Sequence, residues 1–353
     1  ILDALSKDGV TILPYDSIYE YVKTFEKDMT VLLCKKKANC RLVNSIPKEV
    51  TILDEANLTF LPKSIKNPVE VENERIAHIK DGVALTKFIC WLKKNVGKIP
   101  ITELSAGEKL YSFRAQQENF IDNSFDPIIS YGIHAAINHY SATPETDIAI
   151  EPGNFLLADT GGHYYEGTTD TTRTIVMGSV NDEQKKYFTA VLRGMLNLGN
   201  AKFRYGCTGV NLDYLARGPL WEMGQDFNHG TGHGVGYLLN VHEGPNSFRW
   251  RIIQGDNAVL EEGMITSDEP GYYVENQYGI RHENLLVCKK AEKTSFGQFM
   301  CFEHLTMVPF DLDAVVPELM TVQERALLNN YHAQVYKKIS PYLEEEEKEW
   351  LKE

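Results

Sequence analysis

Short apolar runs at residues 10–13, 29–33 and 50–53, with a helical stretch after Asp16, read as the strands and helix of a small α/β unit. It ends at LPKSIKNP, a proline-bracketed linker, and its 66 residues would make a marginal domain alone. From there the periodicity changes. Asn67 can cap a helix with Pro68 at its first position, where the missing N–H costs nothing. Ile76, Ile79, Val83 and Leu92 keep helical spacing, which predicts a long amphipathic helix over residues 68–96. Thr102 opens a second helix to about Gln117, with Leu104, Leu110 and Phe113 as its apolar positions. Asn181 and Gln184 form a capping-box pattern ahead of a third, which carries Phe188, Val191, Leu192, Met195 and Leu198. A fourth covers residues 210–223.

Between these helices lie strand signals. Residues 154–159 and 173–177 flank a turn region rich in glycine and threonine, and residues 263–267 and 278–288 flank a turn at Asn276. The tail from about residue 301 starts as a strand and ends in helices at 321–338 and 341–352. Its LEEEEKEW run reads as a solvated helix face. The pattern divides the chain into residues 1–66 and residues 67–353, the latter with a C-terminal extension from about 301.

Composition narrows the function classes. The net charge of −13 argues against a nucleic-acid partner, which needs a basic face. No apolar run approaches the roughly 18–20 residues that span a bilayer, so no membrane partner is expected. The start does not read as a signal peptide, and because it opens at Ile1 the chain is either processed or a fragment. Six cysteines without a CxxC pair read as free thiols in a reducing compartment, hence a cytoplasmic protein.

The chemistry concentrates in four acids and one histidine. They are Asp159 and Asp170 in LLADTGGHYYEGTTDTTRT, His233 in HGTGHGVG, Glu269 in TSDEPGYY and Glu283 in GIRHENLL. Taken singly, each acid is more often a cap, a turn residue or a solvated charge than a ligand. Together they point elsewhere. Asp159 and Asp170 stand 11 apart around a Gly-Gly turn, and Glu269 and Glu283 stand 14 apart around residues 275–279. If each pair lies across a β-hairpin, its members can face the same side. Four carboxylates in one pocket raise each other's pKa unless cations offset them. The set therefore reads as a dinuclear metal site of a hydrolase, with His233 closing it from a third segment. His229 and His233 are four apart, as in HExxH, but four glycines in HGTGHGVG disfavour a helix. One histidine is then a ligand and the other a pocket residue.

In these motifs the chain resembles the pita-bread metallopeptidases, and within them the Xaa-Pro aminopeptidases. The stretches HYSATPETDIAIEPGNFLLADTGGHYYEGTTDTTRT, HGTGHGVGYLLNVHEGP, TSDEPGYY and GIRHENLL carry the resemblance over residues 67–353. It implies an α/β (α+β) fold of the creatinase/aminopeptidase type, a curved antiparallel sheet backed by helices with two-fold pseudosymmetry. Residues 1–66 resemble the end of the second of two creatinase-like domains that long members carry ahead of the catalytic one.

The resemblance also implies roles. Asp159 chelates one metal, Asp170 and Glu283 bridge both, and His233 and Glu269 complete the second. His139 in INHY and His242 in NVHEGP contact the substrate and its developing charge. His229 lines the site for a penultimate proline, and Arg281 stands behind the bridging glutamate. His282 between them has no assigned role. Four oxygen donors and one imidazole suit two divalent ions, manganese first, with cobalt or zinc able to substitute. The expected reaction removes the first residue from peptides with proline second, with Glu269 carrying the proton. A homodimer through the C-terminal region is expected. The rivals are a prolidase cleaving Xaa-Pro dipeptides and a non-catalytic pita-bread module, and the complete ligand set counts against the second.

Overall fold

The computed structural model describes every residue except Ile1 and Gln254. The chain divides into two compact units, Ile1–Lys63 and Ser64–Glu353.

The first unit contains α1 (Leu2–Lys7), α2 (Ile18–Tyr21), β1 (Thr30–Leu32), α3 (Cys40–Ser45) and β2 (Thr51–Leu53), and α4 (Phe60–Ser64) follows. β1 and β2 pair in parallel, with Val31 opposite Ile52. Val22, Ile46 and Val50 form a small core with Phe25 and Leu42 packed on it. The strand expected at residues 10–13 does not form, and Val10, Ile12 and Leu13 are exposed. A strand needs a partner backbone, and among the described residues none pairs with this segment.

The second unit opens with α5 (Pro68–Asn95). The Asn67 side chain accepts from the Val69 and Glu70 N–H groups, and Glu70 accepts from the Asn67 N–H. Val83, Leu85, Phe88 and Leu92 are buried, but Ile76, expected on that face, is 40% exposed. The buried stripe carries Glu74, His78 and Asp81 instead. These are partnered by neighbours that an apolar pattern does not reveal. Asp81 takes Arg114 of α6 (Glu103–Arg114) at 2.8 Å and the Tyr164 hydroxyl at 3.0 Å, and Glu74 accepts from the Thr168 N–H at 3.1 Å.

Then come β3 (Phe120–Asn123), β4 (Ile128–Tyr131), β5 (Asn154–Thr160), β6 (Gly162–Tyr164), β7 (Gly167–Thr168), β8 (Thr171–Met177) and α7 (Asp182–Gly199). β9 (Lys202–Arg204), α8 (Gly209–Leu212), α9 (Tyr214–Trp221), β10 (Gly232–His233) and β11 (Ser247–Phe248) follow. The unit continues through β12 (Ile265–Asp268), β13 (Gly271–Val274), β14 (Tyr278–Arg281), β15 (Asn284–Thr294) and β16 (Gly297–His304) to α10 (Val322–Ile339) and α11 (Glu345–Lys352). The fourth predicted helix is broken into α8 and α9 at Asp213, whose buried carboxylate accepts from Arg217 and Thr231.

Two antiparallel ladders position the chemistry, β4–β5–β8 and β12–β15–β16–β9. Each has a small two-strand excursion between two of its paired strands: β6–β7 between β5 and β8, and β13–β14 between β12 and β15. Helices back the ladders. Leu85, Phe88 and Leu92 of α5 and Leu110 of α6 pack on Ile129, Leu156 and Ile175. Phe188 and Val191 of α7 meet Phe155, Val176 and Ile280. α10 adds Leu328, Tyr331, Val335 and Ile339 against Leu192 and Met195.

Candidate functional site

Strand register decides which acids meet. Asp159 lies near the end of β5 opposite Thr172, and Asp170 immediately precedes β8. Glu269 immediately follows β12, whose last residue Asp268 pairs with Asn284, and Glu283 immediately precedes β15. The excursions carry the chain out and back, so residues 11 and 14 apart end as neighbours. The ladders are tied at the centre by the Glu283 N–H donating to the Thr172 carbonyl at 3.1 Å.

β10 brings His233. The Glu269 N–H donates to the Thr231 carbonyl at 2.8 Å, and the His233 N–H to Ser267 Oγ at 2.9 Å. Gly232 permits this approach, since a Cβ there would strike the Ser267 carbonyl. His233 Nδ1 lies 2.9 Å from the Gly234 carbonyl, so it carries the proton and Nε2 faces the acids. Nε2 stands 3.4 Å from Asp170 Oδ2 and 3.5 Å from Glu269 Oε1. One donor atom each from Asp170, His233 and Glu283 lie within 4.8 Å of one another.

Asp159 differs from the other acids. Its Oδ2 accepts from Arg281 Nη2 at 2.6 Å, while its Oδ1 is buried without a hydrogen-bond partner. An unpartnered buried carboxylate oxygen is costly unless something cationic meets it. The donor set thus fits a divalent cation, with Asp159 offering one oxygen. Other oxygens are steadied by hydroxyls: Thr172 donates to Glu283 Oε2 at 2.7 Å, and Ser267 to Glu269 Oε1 at 3.0 Å.

The protein alone holds these groups far from their ordinary titration. Burial raises Glu269 to about 7 against the pull of His233 and Arg281. Burial, reinforced by Asp170, Glu269 and Asp159, raises Glu283 well above the carboxylate range. Asp170 is also raised, chiefly by burial. For His233 burial favours the neutral ring, but the Asp170 hydrogen bond and the charges of Glu269 and Asp170 outweigh it and lift the ring to about 9. Asp170, Glu269, Glu283 and His233 thus share protons that a cation would replace.

All nine residues singled out in the sequence, His139, Asp159, Asp170, His229, His233, His242, Glu269, Arg281 and Glu283, line one cavity of about 430 Å³. His242 packs edge-on to His233 with ring centroids 4.2 Å apart, and burial and the His233 charge lower it to about 4. His229 accepts the Tyr273 hydroxyl on Nε2 at 2.9 Å and lies 2.7 Å from the Gly230 carbonyl through Nδ1. Burial lowers it to about 3, so the ring is neutral. His282 turns away from the cavity into aromatic packing, 4.4 Å from the Phe188 ring and 5.6 Å from Phe310.

The residues that hold the donors in place carry no signal of their own in the sequence. Tyr273 links His229 to Arg281, whose Nη1 donates to it at 2.6 Å. Thr172 and Ser267 sit inside motifs already noticed, DTTRT and TSDEP, but nothing in their type distinguishes them from neighbours.

Comparison with known proteins places this geometry. The model of metallopeptidase family M24 matches residues 72–290, that of the C-terminal region of peptidase M24 residues 298–353, and that of the creatinase/prolidase N-terminal domain residues 1–70. A probable Xaa-Pro aminopeptidase P of Arthroderma otae is 40% identical over 97% of this chain and 57% of its own length. The X-prolyl aminopeptidase of Caenorhabditis elegans, described as a cytosolic enzyme with a di-nuclear active site, superposes with a TM-score of 0.91 at 34% identity. That match covers 98% of this chain and 58% of the other. The Xaa-Pro dipeptidase of Bacillus anthracis gives a TM-score of 0.67 at 26% identity, covering 83% of this chain and 77% of its own. The chain thus spans less than three fifths of the Arthroderma and Caenorhabditis proteins. The fold is the pita-bread arrangement of these peptidases. With its catalytic-domain motifs, its ladders and its matched length in agreement, the chain belongs to metallopeptidase family M24.

Proposed function

We propose that this chain carries a metal-dependent aminopeptidase that releases the first residue of peptides with proline in second position. The convergence of four carboxylates and His233 on one cavity, with Asp159 Oδ1 unpartnered, is the observation that carries the reading. Likeness to the Caenorhabditis X-prolyl aminopeptidase, closer in identity and superposition than to the Bacillus dipeptidase, favours it over dipeptide cleavage.

In this reading Asp159, Asp170, His233, Glu269 and Glu283 would hold two divalent ions, Asp170 and Glu283 being shared between them. Manganese is the first choice by donor type. When bound, such ions would supply Lewis acidity toward the scissile carbonyl and a lowered pKa for the attacking water. The remaining work belongs to side chains. Asp159, near the free amine of the peptide, fixes the cleaved bond at one residue from the end. Glu269 takes the proton from the water and passes it to the departing proline nitrogen, which becomes a secondary amine. His139 and His242 donate to the oxyanion as the carbonyl carbon turns tetrahedral; His242, neutral, does so through an N–H without adding charge. His229 has both ring nitrogens engaged, so it offers the proline a ring surface. Proline suits such a wall, because its fixed φ and missing N–H remove the strand-like contacts other peptides make. Arg281 orients Asp159. We further read the chain as a cytoplasmic homodimer.

The test is hydrolysis of an Xaa-Pro-Xaa tripeptide and an Xaa-Pro dipeptide with added Mn²⁺. Release of the first residue from the tripeptide, lost with a chelator, is expected. Cleavage of the dipeptide alone would make the protein a prolidase, and cleavage of neither would make it a binding module.

A further inference from the structure

The cavity wall carries a cation that the metal-site carboxylates do not use. Arg281, which also lines the cavity, is buried and committed to Asp159 and Tyr273. Arg249 stands in a different situation. Its Nε donates to Asp256 Oδ2 at 2.6 Å, and its two terminal nitrogens have no hydrogen-bond partner among the described residues. Its side chain is 29% exposed and that of Asp256 24%, so water reaches the pair and the guanidinium keeps much of its reach into the cavity. Gly230 makes the seat: a Cβ at that position would strike Arg249 Nη1. The fork therefore lies against the backbone next to His229, on the wall read above as the proline surface.

The same cavity is thus lined by Asp159, Asp170, Glu269 and Glu283 and by the open guanidinium of Arg249, which lies against Gly230. For a peptide with its amine near Asp159 and its proline on His229, as proposed above, the wall next to His229 is Gly230 with Arg249 against it, so the residue beyond the proline would meet Arg249. A planar fork with two free NH2 groups matches a carboxylate in shape and charge. Resting on the proposed aminopeptidase reading, we propose that Arg249 is a specificity-determining residue that pairs with a carboxylate immediately beyond the proline, the free C-terminus of a tripeptide. Asp256 holds the fork from behind through Nε and leaves its end open to the substrate.

The test is steady-state kinetics with Mn²⁺ on three substrates: Xaa-Pro-Gly as the free acid, the same tripeptide as its C-terminal amide, and Xaa-Pro-Asp amide. The last separates a side-chain carboxylate from the terminal one. The natural chain is expected to prefer the acid to its amide by roughly tenfold in kcat/KM, mainly through KM. Arg249→Met should bring that ratio to about one, and Arg249→Lys should keep part of it. Asp256→Asn, which leaves Arg249 in place, should preserve the preference. The Asp amide should stay near the Gly amide if the terminal carboxylate is the partner. An undiminished ratio in Arg249→Met overturns the proposal, as does an equal loss on acid and amide, which would mark a structural role. A natural chain that cleaves acid and amide alike sinks this inference and leaves the aminopeptidase reading standing. One that cleaves neither sinks both.

Discussion

Thr172 shows how an ordinary residue becomes part of the site. It stands opposite Asp159, donates to Glu283 Oε2 at 2.7 Å and receives Arg281 Nε at 3.3 Å, so it joins both ladders. Replacing it by valine removes the Glu283 contact while keeping the shape. We expect Thr172→Val to raise the Mn²⁺ concentration for half-maximal activity by roughly 10- to 100-fold, with kcat recovered at saturating metal. A titration that overlays the natural one would show that Thr172 does not orient Glu283. The raised acids carry a second expectation. Without metal, Glu269 keeps its proton up to about pH 7 and His233 keeps its own up to about pH 9. A cation must displace those protons, so apparent affinity should strengthen as pH rises through 7 toward 9, and uptake at neutral pH should release protons. Calorimetry in two buffers of different ionisation enthalpy measures this, and identical heats would contradict it. At this scale the meeting of Asp159, Asp170, His233, Glu269 and Glu283 in one cavity was legible from their joint spacing and motifs, not from any one acid. Thr172, Ser267 and Tyr273 were not, because only the strand register gives them their partners.

Helix α5 marks what apolar periodicity conveys and where it fails. The cap at Asn67 and the core positions Val83 and Leu92 follow from local rules. The exposure of Ile76 does not, because the buried stripe is set by Glu74 and Asp81 meeting partners far along the chain, with His78 bonded to the Glu74 carbonyl between them. The Asp81–Arg114 pair is buried on both sides, and Arg114 also reaches Thr160, the residue after Asp159. Arg114→Met would strand a buried carboxylate and should cost about 3–5 kcal/mol of stability. Denaturant unfolding checks this, and a loss under about 1 kcal/mol would show that Asp81 accommodates the change. β10 is the other sensitive element. Gly232→Ala would push it off β12 at the Ser267 carbonyl and so displace His233. We expect it to weaken metal affinity and to cost about 1–3 kcal/mol, read by thermal unfolding with and without Mn²⁺; unchanged affinity would mean that the strand tolerates the shift. The two excursions between paired strands were partly visible as turn signals, but their own pairing was not, since two- and four-residue strands carry too little pattern.

Across the whole molecule, the proposed metal site lies where the β4–β5–β8 ladder meets β12–β15, and Glu283 belongs to the meeting point through its N–H on Thr172. That is why a bridging role falls to it in the proposed mechanism, and why its replacement should disturb both ladders' contributions to the site. The fold class followed from motif order along residues 67–353, which the ladders and the related structures match. In the first unit the apolar run at residues 10–13 misled, because hydrophobicity alone does not supply a neighbouring strand. The most direct measurement is manganese bound per chain, by equilibrium dialysis and elemental analysis, for the natural protein and Glu283→Ala, with tripeptide turnover followed on the same samples. Two ions and turnover are expected in the natural chain, and loss of both in the variant. A Glu283→Ala protein that keeps its two ions and its full activity would contradict the two-metal assignment.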